Sequence, residues 1–342
     1  MLLLAGAAET NAQIACAGYS QSYLLRNVGS RAIAMAGTYT AFASEPNLLF
    51  YNPAGLSLLA PTPQVATSVS ALDFGRTQTT TAWGQTIIDN LGVGAGINTF
   101  TTAPFTARDV NGNSLGNVSD FQMSMTAGAS YSMEFISVGV AFKYLYDKLN
   151  GMDISSNGYA VDFGTLINVY DMFDFGLSVQ NVSGIMFWKH GAEESSLLPY
   201  TIRAGVSTVF PLEGFMGTPE RTGPVGEVGE DSPMENEALG GATRYITFGM
   251  DAVLVQHENG PTFTIGVEAV PDETVAFRAG FAIFGDDNNE YKFMPGTTWG
   301  CGISIRPDFF NLPFRTHVDY SVGKDLLSKD GIGHHVSLIF NF

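Results

Sequence analysis

The chain has 342 residues, with 16 basic against 33 acidic side chains, and its formal charge of −17 argues against nucleic acid or an anionic lipid surface as the main partner, though not against an outer membrane. Hydrophobic residues reach 45% and charged ones only 14%, yet no apolar run attains the roughly 18 residues of a spanning helix. Together with 39 glycines and 12% aromatics this points to strands crossing a membrane, although a soluble all-β protein has the same bulk composition. Two cysteines, Cys16 and Cys301, are too few for a disulfide framework or a four-cysteine metal site.

Residues 1–12 have the apolar core and small-residue tail of a secretory signal peptide, without its basic start. Ile14-Ala15-Cys16 has the form of a lipoprotein cleavage site, but Gln13 suits it poorly. Residues 13–63 form a lead-in and a plug. The lead-in, 17–28, reads as polar and extended. The plug stretch, GSRAIAMAGTYTAFASEPNLLFYNPAGL from Gly29 to Leu56, is too apolar for a tail and too broken by Gly and Pro for one helix. Ser30 is placed to cap a short helix over Arg31–Met35 that Gly37 ends. Glu45-Pro46-Asn47 and Asn52-Pro53 read as turns.

From Gln64 the period changes to two, and residues 64–342 read as a barrel. Strands are expected at 65–74, 77–86, 92–101, 119–132, 135–147, 157–169, 173–182, 199–210, 244–256, 261–270, 274–284, 296–306, 314–323 and 333–342. Most are near the roughly 9–11 residues that a tilted membrane strand needs. The number is even, as in bacterial barrels, with 12 or 16 strands the alternatives. Val138, Val140, Phe142 and Tyr144 fall on one face of their strand and Ser137, Gly139, Ala141 and Lys143 on the other. The second face is rich in Gly, Ala and Ser, not in the Lys and Glu of a solvated sheet, so lipid is expected outside. This phase puts Cys301 on the lipid side, away from Cys16. The last strand ends in Phe342, a barrel-insertion signal shared by many barrels. With both termini periplasmic, 102–118, 148–156, 183–198, 285–295 and 324–332 become outer loops. The acidic insertion 211–243 falls on the periplasmic side, as a solvated loop or a docking site for a basic partner.

The same phase turns Lys143, Asp162, Arg203, Asp251, Glu268, Arg278, Arg315 and Asp319 inward, four basic against four acidic. A cross-lumen network with Arg31 and Glu45 of the plug is expected, because an unpaired buried charge is expensive. His317, Asp319 and Ser321 share one face but stand about 7 Å apart in steps, too far for a nucleophile and its base. His334 and His335 point to opposite faces and make no metal pair. Asp286-Asp287-Asn288-Asn289-Glu290 is rich in oxygen ligands but lacks EF-hand spacing, so a solvated loop is the simpler reading. Asp109-Val110-Asn111-Gly112-Asn113 reads as a turn. No catalytic set, metal site or cofactor is expected.

The ordered series Gly29, Arg31, Gly37, then Asn52-Pro53-Ala54-Gly55-Leu56, followed by the strands, resembles FadL-like outer-membrane proteins, and among them the PorV/PorQ group. The resemblance implies an all-β transmembrane barrel of about 14 strands in the bacterial outer membrane, with the N-terminal plug inside and Gly29, Arg31, Gly37, Asn52, Pro53 and Gly55 as structural plug residues. It implies a non-enzymatic part in protein secretion or surface assembly, acting on a translocon or cargo protein of type IX secretion. The alternative it implies is passive transport of long-chain fatty acids or other hydrophobic, detergent-like molecules, with lateral release through the wall. Met35, Phe42, Phe50 and Tyr51 would then line the path, or else form the plug core. The acidic insertion is not part of the pattern, and the chain is short for a fatty-acid transporter.

Overall fold

A computed structural model describes residues 21–42, 45–88, 90–152, 154–170, 172–190, 192–212, 244–257, 260–272, 274–284, 299–306, 315–324 and 331–342. Residues 1–12, Cys16, most of the acidic insertion, the Asp286–Glu290 cluster and most of the expected loops 285–295 and 324–332 lie outside them. The strands are β1 (Gln64–Leu72), β2 (Arg76–Ile88), β3 (Leu91–Thr101), β4 (Phe105–Arg108), β5 (Ser114–Met133), β6 (Ile136–Asn150), β7 (Ile154–Val169) and β8 (Phe173–His190). They continue with β9 (Ala192–Leu197), β10 (Thr201–Pro211), β11 (Tyr245–Val255), β12 (Thr262–Asp272), β13 (Val275–Phe284), β14 (Trp299–Ile305), β15 (Arg315–Lys324) and β16 (Ile332–Asn341).

Each barrel strand pairs antiparallel with its neighbours, and β1 pairs with β16 from Gln64↔Asn341 to Ala71↔His334, which closes the ring. Pairing of β8 with β10 bypasses β9, and β4 pairs only with β5. Among the described residues the closed wall therefore has fourteen strands, all of them expected from the period-two pattern. The expected loops 102–118 and 183–198 instead carry β4, the start of β5, the second half of β8 and β9. Two ribbons thus rise beyond the ring at one end. We call that the far end, and the Gln64–Asn341 end the near end.

The alternation decides which face meets what. Val138, Val140, Phe142 and Tyr144 are exposed on β6, while Ser137, Ala141 and Lys143 are buried. On β13, Phe277, Phe281 and Ile283 are exposed and Ala276 and Arg278 buried. Cys301 also faces outward. Each large apolar side chain left in water forgoes about 1.5–3 kcal/mol, and such residues stand on strand after strand, so a lipid bilayer is the medium this surface requires. The hydrophobic core lies instead within the ring. Val28, Ala32, Met35, Tyr39, Phe42, Leu48, Leu49, Tyr51, Leu56 and Leu59 form it with Ala141 of β6.

Candidate functional site

The interior segment runs from the far end to the near end. Its first part is not the polar lead-in expected. Ser22–Leu25 is a 3-10 turn with Tyr23 and Leu25 buried, and it enters three apolar clusters. Tyr23 packs with Leu72 and Phe100, Leu25 with Val253 and Val255, and Leu24 against Leu145, Met186 and Leu198. The signal was the triplet Tyr23-Leu24-Leu25, which a fully solvated tail has no use for.

Helix α1 follows at Ser30–Ala34. Its N-cap is Gly29, not a side chain, because the Ser30 hydroxyl is held by Ser337 of β16 at 2.9 Å and the Ser30 N–H donates to Ser337 Oγ at 2.8 Å. The helix ends at Ala34, short of Gly37: Ala36 takes the first left-handed step at φ 54°, and Gly37, at φ 87°, returns its N–H to Ala32 O at 2.8 Å. The wall is cut to fit. A Cβ on Gly280 would meet the Met35 backbone, and one on Gly300 the Ile33 carbonyl. At the near end Asn52 accepts from Ala54 N–H at 3.2 Å and donates from Nδ2 to Thr40 O at 2.9 Å and Thr165 O at 3.1 Å. Pro53 then opens the 3-10 turn Pro53–Leu58, where its missing N–H costs nothing, and Gly55 N–H returns to Asn52 O. Ser57 N–H reaches Ser130 Oγ on β5, and the Thr86 hydroxyl of β2 donates to Leu59 O at 2.7 Å.

The inward charges do not form one network. Arg31 forks onto Glu268, Nε to Oε2 at 3.0 Å and Nη2 to Oε1 at 2.6 Å. Arg278 joins the same carboxylate and reaches Asp319 at 3.3 Å, so Glu268 stands between two guanidiniums. Glu45 sits beside this group, held by Asn47 Nδ2 at 3.2 Å. A second group is Lys143 with Asp162 at 2.7 Å, each also bonded to Asn181. Asp251 stands apart as a backbone receptor for Tyr39 and Thr40 N–H, both at 2.9 Å. Arg203 bonds Gln180 Oε1 at 3.3 Å and lies 5.4 Å over the Tyr51 ring, while Gln180 donates to Phe50 O and Tyr51 O. Arg315 does not join them; it is exposed at the near end, paired across β16 with Asn341. Of the other candidates, Asp319 serves Arg278, and His334 faces outward on Tyr320 at 2.8 Å.

Met35, Phe42 and Tyr51 are buried in the interior core, with Phe50 packed against it. Tyr39 stacks on Phe42 at 5.5 Å, and the Tyr51 hydroxyl donates to Val28 O at 3.0 Å. A solute reaches the buried Phe42 and Tyr51 rings only if the segment moves.

Among the described residues the wall is most irregular between β7 and β8. Between Tyr159 and Phe163 the β7–β8 register slips twice, from Tyr159↔Ile185 through Val161↔Val182 to Phe163↔Val179. Asn181 and Ser183 there adopt φ of 58° and 51°, the backbone of successive bulges. The β8–β10 ladder also stops at Gln180, after which β8 pairs with β9. Asn181 N–H to Asp162 at 2.8 Å and Asn181 Nδ2 to Pro199 O at 3.4 Å bridge the irregular patch.

No protein-family model matches the chain, and no curated protein matches it by sequence. Solved structures match over nearly its whole length. The Ralstonia pickettii toluene transporter TbuX is 14% identical, with 92% of this chain and 97% of that one covered and a TM-score of 0.56. The Pseudomonas putida toluene transporter TodX is 13% identical, with 93% and 99% covered and a TM-score of 0.57. The monoaromatic hydrocarbon channel CymD is 12% identical, with 92% and 98% covered and a TM-score of 0.52. At these identities the likeness is one of fold, and with the apolar girdle it makes the chain an outer-membrane β-barrel.

Proposed function

We propose that this barrel is a non-enzymatic, passive carrier of hydrophobic molecules across the outer membrane, with the interior segment as its movable plug. The observation that carries the reading is the lining of the far end. Leu72, Phe100, Leu145, Met186, Leu198, Val253 and Val255 come together there from distant parts of the wall, around Tyr23, Leu24 and Leu25. A water-filled pore is lined by polar groups throughout; these apolar clusters, standing beside polar residues such as Gln78, Asn98 and Asp147, offer apolar solutes a place at the mouth. The longer ribbons mark the far end as the outer one, by the usual asymmetry of such barrels. The irregular patch at Asn181–Ser183, with two register slips among the described residues, is the candidate sideways exit into the lipid. TbuX and TodX are toluene transporters and CymD is a monoaromatic hydrocarbon channel, which supports small apolar solutes alongside long-chain fatty acids. The test is uptake of radiolabelled toluene and of a long-chain fatty acid by cells with and without the protein. A faster initial rate for either supports the reading, and equal rates for both sink it.

The PorV/PorQ-like series at Gly29–Leu56 favours a second reading, a part in protein secretion or assembly through protein contacts. The β8–β9 ribbon, paired from Ile185↔Leu197 to His190↔Ala192 beyond the ring, would offer such a partner an edge. A stoichiometric translocon or cargo protein recovered with the gently solubilised barrel would favour it over transport.

A further inference from the structure

We propose that the far-end mouth binds a hard divalent cation of the calcium class between Asp120 of β5 and Asp147 of β6, and that this ion clips the start of the interior segment to the wall. The site is separate from the ion pairs deeper in the lumen and does not depend on what the barrel carries. Asp147 lies directly across the β5–β6 pair from Gln122, two residues along from Asp120, and all three side chains face inward. The two carboxyl groups are within hydrogen-bond reach of each other. Two carboxylates that close need a shared proton or a cation.

Among the described residues, the side chains bonded to them are neutral amides. Gln122 Nε2 donates to Asp120 Oδ2 at 2.8 Å, and Gln21 Nε2 donates to Asp147 Oδ2 at 3.1 Å. The Tyr23 ring stands beside Ser124 and both carboxylates. Arg26 is turned over the Phe100 ring, 5.8 Å from its centroid.

A second observation points to a ligand. Ser156 of β7 pairs directly across from Asp147, is 1% exposed, and its hydroxyl has no hydrogen-bond partner among the described residues. The other end of the Gln21 amide, Oε1, is likewise buried without a partner, although its Nε2 is already on Asp147. A buried polar atom left unpaired is destabilising, and here two of them flank a carboxylate pair. The donors gathered are all oxygens: two carboxylates, an amide and the hydroxyls of Tyr23, Ser124 and Ser156. That set suits calcium, which takes carboxylate, amide and other oxygen ligands in flexible geometry, and it suits no metal that prefers nitrogen or sulfur. Only two of the donors are charged, which places the affinity at the weak end for such sites, about 10⁻⁴–10⁻³ M. Because Gln21 and Tyr23 belong to the interior segment while the other donors belong to β5, β6 and β7, the bound ion joins segment and wall.

The experiment uses the full chain in detergent, freed of lipopolysaccharide. Calcium-45 equilibrium dialysis is expected to show one saturable ion per chain, and calcium is expected to raise the temperature at which the folded barrel loses its gel mobility, where sodium at equal ionic strength does not. The double variant Asp120→Asn/Asp147→Asn should lose saturable binding while Asp109→Asn keeps it. Terbium, excited through tyrosine, provides a measurement that does not depend on the carboxylate variant folding. Its emission should be displaced by calcium and should fall in Tyr23→Phe. No saturable calcium in the wild type, unchanged binding in a folded double variant, or undiminished terbium emission in Tyr23→Phe would each overturn the proposal.

Discussion

Glu268 shows how much can rest on one side chain inside this barrel. It is fully buried and receives both Arg31 of the interior segment and Arg278 of β13, so one carboxylate stands between two guanidiniums, with Asp319 on Arg278 and Glu45 close by. Glu268→Gln keeps the shape and removes the charge. The buried guanidiniums are then undercompensated, and a loss of about 3–5 kcal/mol is expected, read as a lower denaturant midpoint of the detergent-solubilised barrel. Arg315→Ala, at the exposed near end, should change it by no more than about 0–1 kcal/mol. Equal effects would show that the Arg31–Glu268–Arg278 group is not what fixes the segment. The inward direction of these charges was legible in the sequence because side chains alternate along a strand. The partners were not, since Arg31 and Glu268 are 237 positions apart and their meeting depends on how far the segment descends into the lumen.

Single elements differed in how plainly their sequences announced them. The fourteen wall strands were legible because lipid on one face and a packed segment on the other enforce opposite residue classes at every step. The ribbons beyond the ring escaped, since β4 and β9 have no bilayer on one face to impose alternation. The β4–β5 ribbon is instead set by its turn. Asp109 Oδ1 accepts the Asn111 and Asn113 N–H groups at 2.9 and 2.8 Å, and Asn113 Nδ2 donates to Oδ2 at 2.9 Å. These bonds, the Asn113 side chain first, hold the Asp109 carboxyl below the usual aspartate range. A carboxyl lowered by folding stabilises the turn above its unfolded pKa and loses that contribution as pH falls through the folded value. The Asn111 and Asn113 amide-proton shifts should therefore hold steady down to the ordinary aspartate range and move only below it. In Asp109→Asn that transition should be absent. Titration at the ordinary value in the wild type would mean that the turn is held by its Gly112 backbone alone.

At the scale of the molecule the fold is turned inside out. The face that would be core in a sandwich meets lipid, and the core is carried by a segment threaded through the lumen. That arrangement sets a requirement on the proposed transport, because the rings of Phe42 and Tyr51 are reachable only if the segment shifts. Ser30 and Ser337 offer a lock. Their hydroxyl oxygens lie 2.9 Å apart, one on α1 and the other on β16, so Ser30→Cys/Ser337→Cys should form a disulfide joining segment to wall. Cys16 and Cys301 would first be replaced by Ser to leave one pair. Oxidised cells should take up hydrophobic solute at the rate of cells lacking the protein, and a reductant should restore the wild-type rate. A tether formed in full, with uptake unchanged, would mean that α1 stays in place while solute passes. The route would then run through the far-end mouth to the Asn181–Ser183 patch without entering the core, and only Ser22–Leu25, above α1, would have to move.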